Sequence, residues 1–535
     1  MHRLIHDRDA RFDPQLHTVS LANYIEMTTW SANVAKARDR GAAALCATAA
    51  ALAYAEPFAA AILRASAALG HPVDAEPLLD HWSTRSPGSV LGPQRYRWEL
   101  SHKHVPLNPV YAGDVGTWRA WRAGEQPFLE RDPFAFEQRL AVPVVLCETA
   151  ELLIESARAG GPVGEKAAAL LTEAEPVMRR DLASFITARF TWTDTFALWM
   201  LARRPHALAR LHPFALAIAT CYAESAARAG GVAVGQRFPF YDKPLVSASA
   251  QLAVGLLALG MELELVSSLV EYCRSQRQQC GGWGDAGGAV DILTTLAVAD
   301  LLTHCDPEFD PEPTADMLIS RQLSGGWWRV LGPEAPWLTA EILSWMSNTM
   351  RPFAERFRWP HLPEANRDRK TGAPFYAYFC DLTRLFASVR GLSTAHTELA
   401  FIDLAGFGAF NNRHGQEQGD AVLNAFAGAL MAIPAAMTIR DGGDEFLVVG
   451  APLRDGLAAD LDRLRVSWPE QFTARFGAEM KPVAPRMLVT RVGAGRLIEA
   501  REELGRAIAG LKDRAPEPGP TGVLTELALS PAMTG

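Results

Sequence analysis

Three carboxylates in the last third of the chain are placed for chemistry. Asp444 and Glu445 stand side by side after Arg440-Asp441-Gly442-Gly443, and Asp403 closes the apolar run Leu399 to Ile402. Two short β-like runs joined by Gly442 and Gly443 read as a tight hairpin, whose glycines accept positive φ and let a ligand approach bare backbone. Brought side by side in one sheet, Asp403 and Asp444 would hold Mg²⁺ or Mn²⁺. A metal so placed could bridge triphosphate oxygens and lower the pKa of a ribose 3′-hydroxyl for in-line attack on an α-phosphorus, expelling pyrophosphate. That chemistry is nucleotidyl transfer of the polymerase type.

To carry these groups, the chain beyond about residue 368 must fold as a sheet packed by helices. Helices are expected over Phe375–Val389, Gln418–Met431, Leu457–Phe472 and Ile498–Arg514. Strands are expected over Glu398–Asp403 and Arg486–Val492, with the hairpin over Ala436–Val449. Leu399 to Leu404 is almost continuously apolar, as in a central strand covered on both faces, whereas Val422, Leu423, Phe426 and Leu430 keep helical spacing. The tail after Ala515, rich in proline and small residues, is expected to be mobile.

Gly442 to Phe446 is the GGDEF signature, and Asp368 to about Lys512 resembles the diguanylate cyclases. Asp368-Arg369-Lys370-Thr371-Gly372-Ala373-Pro374 is similar to that family's opening D-x-L-T-G-L-P. Asp403 to Asn412 resembles D-x-D-x-F-K-x-x-N-D, Gly415 to Asp420 resembles G-H-x-x-G-D, and Arg506 to Lys512 resembles x-A-L-Y-x-A-K. The resemblance implies a palm-like α/β domain that joins two GTP molecules into cyclic di-GMP. It implies a metal held by Asp403, Asp444 and the backbone of Leu404, with Glu445 as the second acidic catalytic residue. It further implies that Phe407, Arg440, Gly442 and Gly443 bind substrate, that Lys512 contacts the triphosphate, and that Asn411 and Asp420 read guanine. An amide and a carboxylate together can pair with the O6/N7 and N1/N2 edges of that base, a set adenine leaves unsatisfied.

This sequence departs from the family pattern at Ala405, Gly408 and Gln416, which stand where the second Asp, a phosphate-binding Lys and a His are usual. Lost charge near the phosphates would slow catalysis. The family's inhibitory RxxD falls on Ile433 to Ala436, read Ile-Pro-Ala-Ala, so product feedback through it is not expected. His414 reads as a helix-end or core residue. Because each site binds one GTP and the product needs two, a homodimer is implied. Two other readings stay open: a related palm-domain cyclase with another cyclic product, and a non-catalytic GTP- or cyclic-di-GMP-binding effector.

The first 350 residues read as all-helical. Gly41–Ala55, Lys166–Thr187 and Leu245–Cys273 have helical length and composition. Arg277-Gln278-Gln279-Cys280-Gly281-Gly282-Trp283 recurs 44 residues later as Arg321 to Trp327. The expectation is a helix ending at a left-handed glycine cap, then a tryptophan packing the turn. The pattern resembles the repeats of terpene cyclases and protein prenyltransferases over about Gln236 to Met346, which implies an α/α barrel. Neither DxDD nor DDxxD occurs in this part, so a sensor or scaffold taking a small apolar ligand or a protein is expected. Asp7 with Asp9, and Asp306 with Asp310, read as solvated surface. The expected organisation is a helical unit over 1–350, a linker over 351–367, the α/β domain over 368–515 and a flexible tail over 516–535.

Bulk properties narrow the class. A chain of 535 residues, 49% hydrophobic and 21% charged, can bury several cores. A net charge of −8 gives no basic stripe for a nucleic-acid polymer. Seven scattered cysteines without a CxxC pair suit a reducing cytoplasm. The charged start MHRLIHDRDARFD is unlike a signal peptide. The best membrane candidate, Pro244 to Met261, reads as a buried globular helix, so no membrane span is expected.

Overall fold

The computed structural model describes residues 14–51, 59–83, 133–186, 191–235, 243–285, 288–329, 336–349, 351–357, 359, 366–514 and 518–528. Asp7, Asp9 and the charged start lie outside the described residues, as do the ends of the expected helices at Ala55 and Thr187.

The alanine- and leucine-rich half folds as helices in two layers. The inner layer is α2 (Ala59–Ala68), α4 (Pro133–Ala159), α6 (Thr191–Ala202), α9 (Val246–Leu259), α11 (Ile292–Cys305) and α13 (Pro336–Thr349). Each packs on the next, and α13 packs back on α2. Outside them lie α1 (Pro14–Ala50), α3 (Glu76–Ser83), α5 (Gly161–Ile186), α8 (His212–Arg228), α10 (Leu263–Ser275) and α12 (Glu312–Ser320), with the short α7 (Pro205–Arg210) following α6. The expected single helix Leu245–Cys273 is two: Gly260 adopts φ 65° as a C-cap, and the chain turns back there as α10. Among the described residues no helix is long and apolar enough to cross a membrane, and α9, the former candidate, is almost wholly buried.

The repeat is real, but its register is one residue longer than the sequence suggests. Trp283 and Trp328 are the equivalent pair: each indole N–H donates at 2.7 Å to a carbonyl of the preceding helix, from Cys273 and Leu318 respectively. Each backbone N–H donates to a threonine hydroxyl, of Thr295 and of Thr339. Both tryptophans are fully buried, whereas Trp327 is only partly so. The helices end not at glycine but at Gln276 and Arg321 in ordinary conformations. The left-handed glycines, Gly281 and Gly326, sit farther on, where an added Cβ would meet backbone of Pro313 or Arg40 at 2.5 Å.

Asp291 caps α11, accepting from Thr294 N at 2.8 Å. Burial, then the nearby Asp285 carboxylate, pushes its carboxyl up from 3.8 to about 7. The native state then binds the extra proton, so this group's stability contribution is present at low pH and lost as pH rises from about 4 through 7. Asp291→Asn keeps the capping acceptor without the charge. It is expected to melt about 2–4 °C above wild type at pH 8, with the gap closing toward pH 4, in scanning calorimetry at both values. A variant no more stable at pH 8 would refute that assignment.

Within the expected linker, the described residues 351–357 and Trp359 are packed. Its α14 (Phe353–Arg356) lies on α11, and Phe357 and Trp359 stack on Phe386 with ring centroids 5.8 and 6.2 Å away. Phe386 belongs to α15 (Tyr376–Ser388), which packs along α10, with Ser267 and Ser388 hydroxyls hydrogen-bonded at 2.5 Å. Asp306, read as solvated surface, is 2% exposed. It pairs with Arg274 at 3.2 Å and lies where a side chain on Gly391, in the short α16 (Arg390–Ser393), would clash. The cores of the two halves are continuous.

Beyond α16 a five-stranded mixed sheet forms from β1 (His396–Ala405), β2 (Ala436–Arg440), β3 (Glu445–Gly450), β4 (Ala484–Gly493) and β5 (Val523–Glu526), in the order β2-β3-β1-β4-β5. The first four pair antiparallel, and β5 adds parallel to β4. Part of the tail expected to be mobile is therefore an ordered edge strand. Pairing with β4 gives its backbone the partners that its side chains could not predict. Alternation sends Ala400, Ile402, Phe446 and Val448 to the face under α18 (Gln416–Met431) and α19 (Leu457–Phe476). Leu399, Phe401, Leu447 and Val449 face α15 and α20 (Leu497–Arg514). The short α17 (Phe407–His414) follows β1, an element the sequence reading left out.

Candidate active site

Strand register assembles the acidic group. Asp403 lies opposite Glu445 on β3 and opposite Arg486 on β4. By alternation all three share the face of Phe401, Leu447 and Leu488, toward α20. From the last turn of α20, Lys512 reaches down: its Nζ is 2.8 Å from Asp403 Oδ1 and 3.1 Å from Glu445 Oε1. Arg486 Nη1 holds the other oxygen of Asp403 at 3.3 Å, in a pair whose side chains are 10% and 3% exposed. Asp444 precedes β3, and its carbonyl accepts from Leu404 N at 3.3 Å. Burial, then the Asp403 carboxylate, raises the Asp444 carboxyl above its ordinary range. Burial alone would lower the Lys512 ammonium, but its bonds to Asp403 and Glu445 outweigh that and raise it.

The glycine pair does not work through positive φ, since neither Gly442 nor Gly443 adopts it. At Gly442 a Cβ would stand 3.0 Å from Glu445 Oε2, so glycine there clears the carboxylate; at Gly443 an added Cβ would meet nothing within 4 Å. Asp441 and Gly442 N–H groups both donate to Glu445 O. Arg440, expected to bind substrate, folds back here onto its own hairpin. Its Nε donates to Gly442 O at 2.5 Å, Nη2 donates to Gly443 O, and the guanidinium covers the Phe446 ring at 5.0 Å. Arg501 adds a bidentate grip on Asp441 at 3.2 and 2.6 Å. The hairpin carrying Asp444 and Glu445 is thus fixed by two arginines.

The Phe407 side chain is 7% exposed and packed in the core beneath α18. Asn411 lies against Gly419, and its Oδ1 is buried with no partner among the described residues. Asp420, in the second turn of α18, pairs with Lys370. His414 stacks on Phe410 at 4.6 Å, as a packing residue does. Sequence reading missed Arg486 and Lys370. The first was visible as a charge immediately before the apolar run Met487 to Val489, and the second as a lysine at the leucine position of the opening motif.

Asp403, Asp444 and Glu445 are hard oxygen donors, and Asp403 and Glu445 already share one cation, the Lys512 ammonium. The donor set therefore fits Mg²⁺ or Mn²⁺.

Residues 365–472 match the family described as diguanylate cyclase, GGDEF domain. No curated protein matches the chain. Among solved structures, the GGDEF domain of DgcB from Caulobacter crescentus in complex with c-di-GMP is similar at 21% identity, over 31% of this chain and 96% of that one, with a TM-score of 0.27. Diguanylate cyclase SiaD from Pseudomonas aeruginosa, in complex with its activator SiaC, is similar at 23% identity, over 31% of this chain and 62% of that one, with a TM-score of 0.27. The FimX GGDEF domain from Pseudomonas aeruginosa is similar at 17% identity, over 30% and 99%, with a TM-score of 0.25. On the family match, this chain carries a GGDEF domain at residues 365–472.

Proposed function

We propose that the domain over 368–515 condenses two GTP molecules into cyclic di-GMP. The observation that supports this most is the convergence of Asp403, Asp444, Glu445 and Lys512 at the ends of two adjacent strands. Asp403, Asp444 and the Leu404 carbonyl would hold Mg²⁺ or Mn²⁺, which when bound polarises phosphoryl oxygens and acidifies a 3′-hydroxyl. Lys512 exchanges a carboxylate for a triphosphate oxygen, and the freed Glu445 accepts the 3′-hydroxyl proton. The 3′-oxygen bonds to the α-phosphorus of the facing nucleotide as its bond to the β-phosphate bridge breaks, and pyrophosphate leaves with the electron pair. The same exchange in the other direction closes the ring.

Two copies of the domain must face each other with antiparallel nucleotides, so the active form is a homodimer. We read the closed ring of inner helices as an α/α barrel that serves as sensor or scaffold, taking a small apolar ligand or a protein. Its α10 packs directly on α15, so a change in the barrel reaches the GGDEF domain without a flexible linker. The free thiols suit a reducing cytoplasm, where GTP is supplied.

A non-catalytic GTP- or cyclic-di-GMP-binding effector is the second reading. It draws on the charges absent at Ala405 and Gly408 and on the neutralisation of Asp403 by Arg486. Mass spectrometry of products from the purified full chain with GTP and Mg²⁺ or Mn²⁺ separates them. Cyclic di-GMP supports the cyclase, another cyclic product moves the chain to a related class, and GTP binding without pyrophosphate release favours the effector.

A further inference from the structure

Lys370 is held on both sides while its side chain is left to reach out. Asp368 Oδ1 accepts from Lys370 N at 3.1 Å, from Thr371 N at 2.8 Å and from Thr371 Oγ1 at 2.9 Å. Gly372 N closes the turn on Asp368 O at 2.7 Å. From α18, Asn424 Nδ2 donates to Lys370 O at 2.8 Å. The Lys370 ammonium lies 3.0 Å from each oxygen of Asp420. An isolated surface pair of this kind contributes little to stability, so a turn built to present it calls for another account.

An ammonium beside a carboxylate offers a donor next to acceptors, because the carboxylate keeps lone pairs after accepting one ammonium hydrogen. Guanine presents the complement along its Watson–Crick edge: the O6 acceptor, then the N1–H and N2–H donors. Adenine presents a donor and then an acceptor, and would set its amino group against the ammonium. We propose that Lys370 is a specificity-determining residue for the base, donating to guanine O6 while Asp420 accepts from N1–H and N2–H. This rests on the reading of the site as a GTP site and adds to it a residue outside the guanine-reading Asn411 and Asp420.

The test is nucleotide affinity of the full chain by titration calorimetry, using GTP, 6-thio-GTP (a poor acceptor at position 6) and ITP (no 2-amino group). Wild type is expected to bind 6-thio-GTP about tenfold more weakly than GTP, as for one charge-assisted bond at a half-exposed site. Lys370→Met is expected to bind GTP and 6-thio-GTP alike, at the weaker level, while its loss for ITP stays that of wild type. Circular dichroism checks that the variant is folded. Tighter GTP binding by Lys370→Met would mean the lysine only competes for Asp420 and would overturn the proposal, as would undiminished discrimination against 6-thio-GTP. Asp420→Asn tells the two failures apart: if it leaves GTP affinity unchanged, the GTP-site reading itself fails; if it weakens GTP while Lys370→Met does not, only the role of Lys370 fails.

Discussion

Asp444→Ala is expected, on the proposed cyclase function, to lower cyclic di-GMP formation by at least about a thousandfold, roughly 4 kcal/mol of transition-state stabilisation. The variant removes one of three carboxylates that converge at the ends of β1 and β3, leaving only Asp403 and Glu445, which both pair with Lys512. Ala405, where a second aspartate would stand, supplies no substitute. The same substitution is expected to leave the melting temperature unchanged or slightly higher. Burial and the Asp403 carboxylate hold the Asp444 carboxyl above its ordinary range, so its ionised form disfavours the folded state, and losing it relieves repulsion. Pyrophosphate release and product mass spectrometry measure the first effect, and differential scanning fluorimetry the second. Near wild-type turnover in a folded Asp444→Ala protein would remove the metal site from this position.

Arg204→Met tests the opposite half of the molecule, with stability as the readout. Arg204 is buried after α6, donating from Nε to Glu148 Oε1 at 2.7 Å and from Nη1 to Met200 O at 3.0 Å, while Nη2 bridges Glu148 and Glu341. Arg203 beside it donates to Glu341 Oε2 at 2.7 Å and pairs with Asp300, which also accepts from Trp199 Nε1 at 3.0 Å. Arg64 completes the group from α2, on Glu148 at 2.5 Å and on Glu155 at 2.9 Å. Five of the six inner helices or their ends are joined through these charges. Methionine fills similar volume but leaves Glu148 and Glu341 short of a cation, at a cost of about 3–5 kcal/mol, seen as a melting temperature lower by about 3–5 °C.

The pH dependence of that loss follows from Glu341. Burial alone would raise its carboxyl, but Arg203 and Arg204 outweigh burial and hold it below the ordinary value. A depressed folded-state value contributes stability above the unfolded value, and that stability is lost as pH falls through the folded one. In Arg204→Met the carboxylate has lost part of this support, so the gap from wild type should be largest near neutral pH and narrow toward pH 4. Calorimetry across that range measures it. A gap that stays the same from neutral pH to pH 4 would show that the arginine acts by packing alone.

Much of the GGDEF half was legible in the sequence because its signals are local. Continuous apolar runs and helical spacing set the expected elements, and six of these meet their observed counterparts, from α15 through β1, α18 and α19 to β4 and α20. The adjacent Asp444 and Glu445 after a glycine pair announced a turn bearing charge, since few other structures tolerate that composition. Asp403 was recognisable as the polar end of an apolar strand. The helical class of the N-terminal half followed from alanine and leucine content, and the repeat from two glycine-tryptophan turns.

The rest depended on contacts between residues far apart in the chain. No local pattern says that β4 pairs with β1 so that Arg486 meets Asp403 across 83 positions, or that Lys512 lands between Asp403 and Glu445. Glycine could be read at 442, but not that it clears a folded-back carboxylate rather than adopting positive φ. Arg440 could be read as a cation, but not as one turned onto the carbonyls of its own hairpin. The tail held too little hydrophobic pattern to declare a strand, because β5 takes its place through backbone hydrogen bonds to β4. The one-residue slip in the repeat has the same origin: the sequence aligns the tryptophans by neighbours, whereas packing chooses the indole that can bury itself and reach a carbonyl of the preceding helix. Composition and spacing determined which groups this chain holds for chemistry; strand register and helix packing decided which of them meet, because burial and hydrogen-bond satisfaction are properties of the assembled fold.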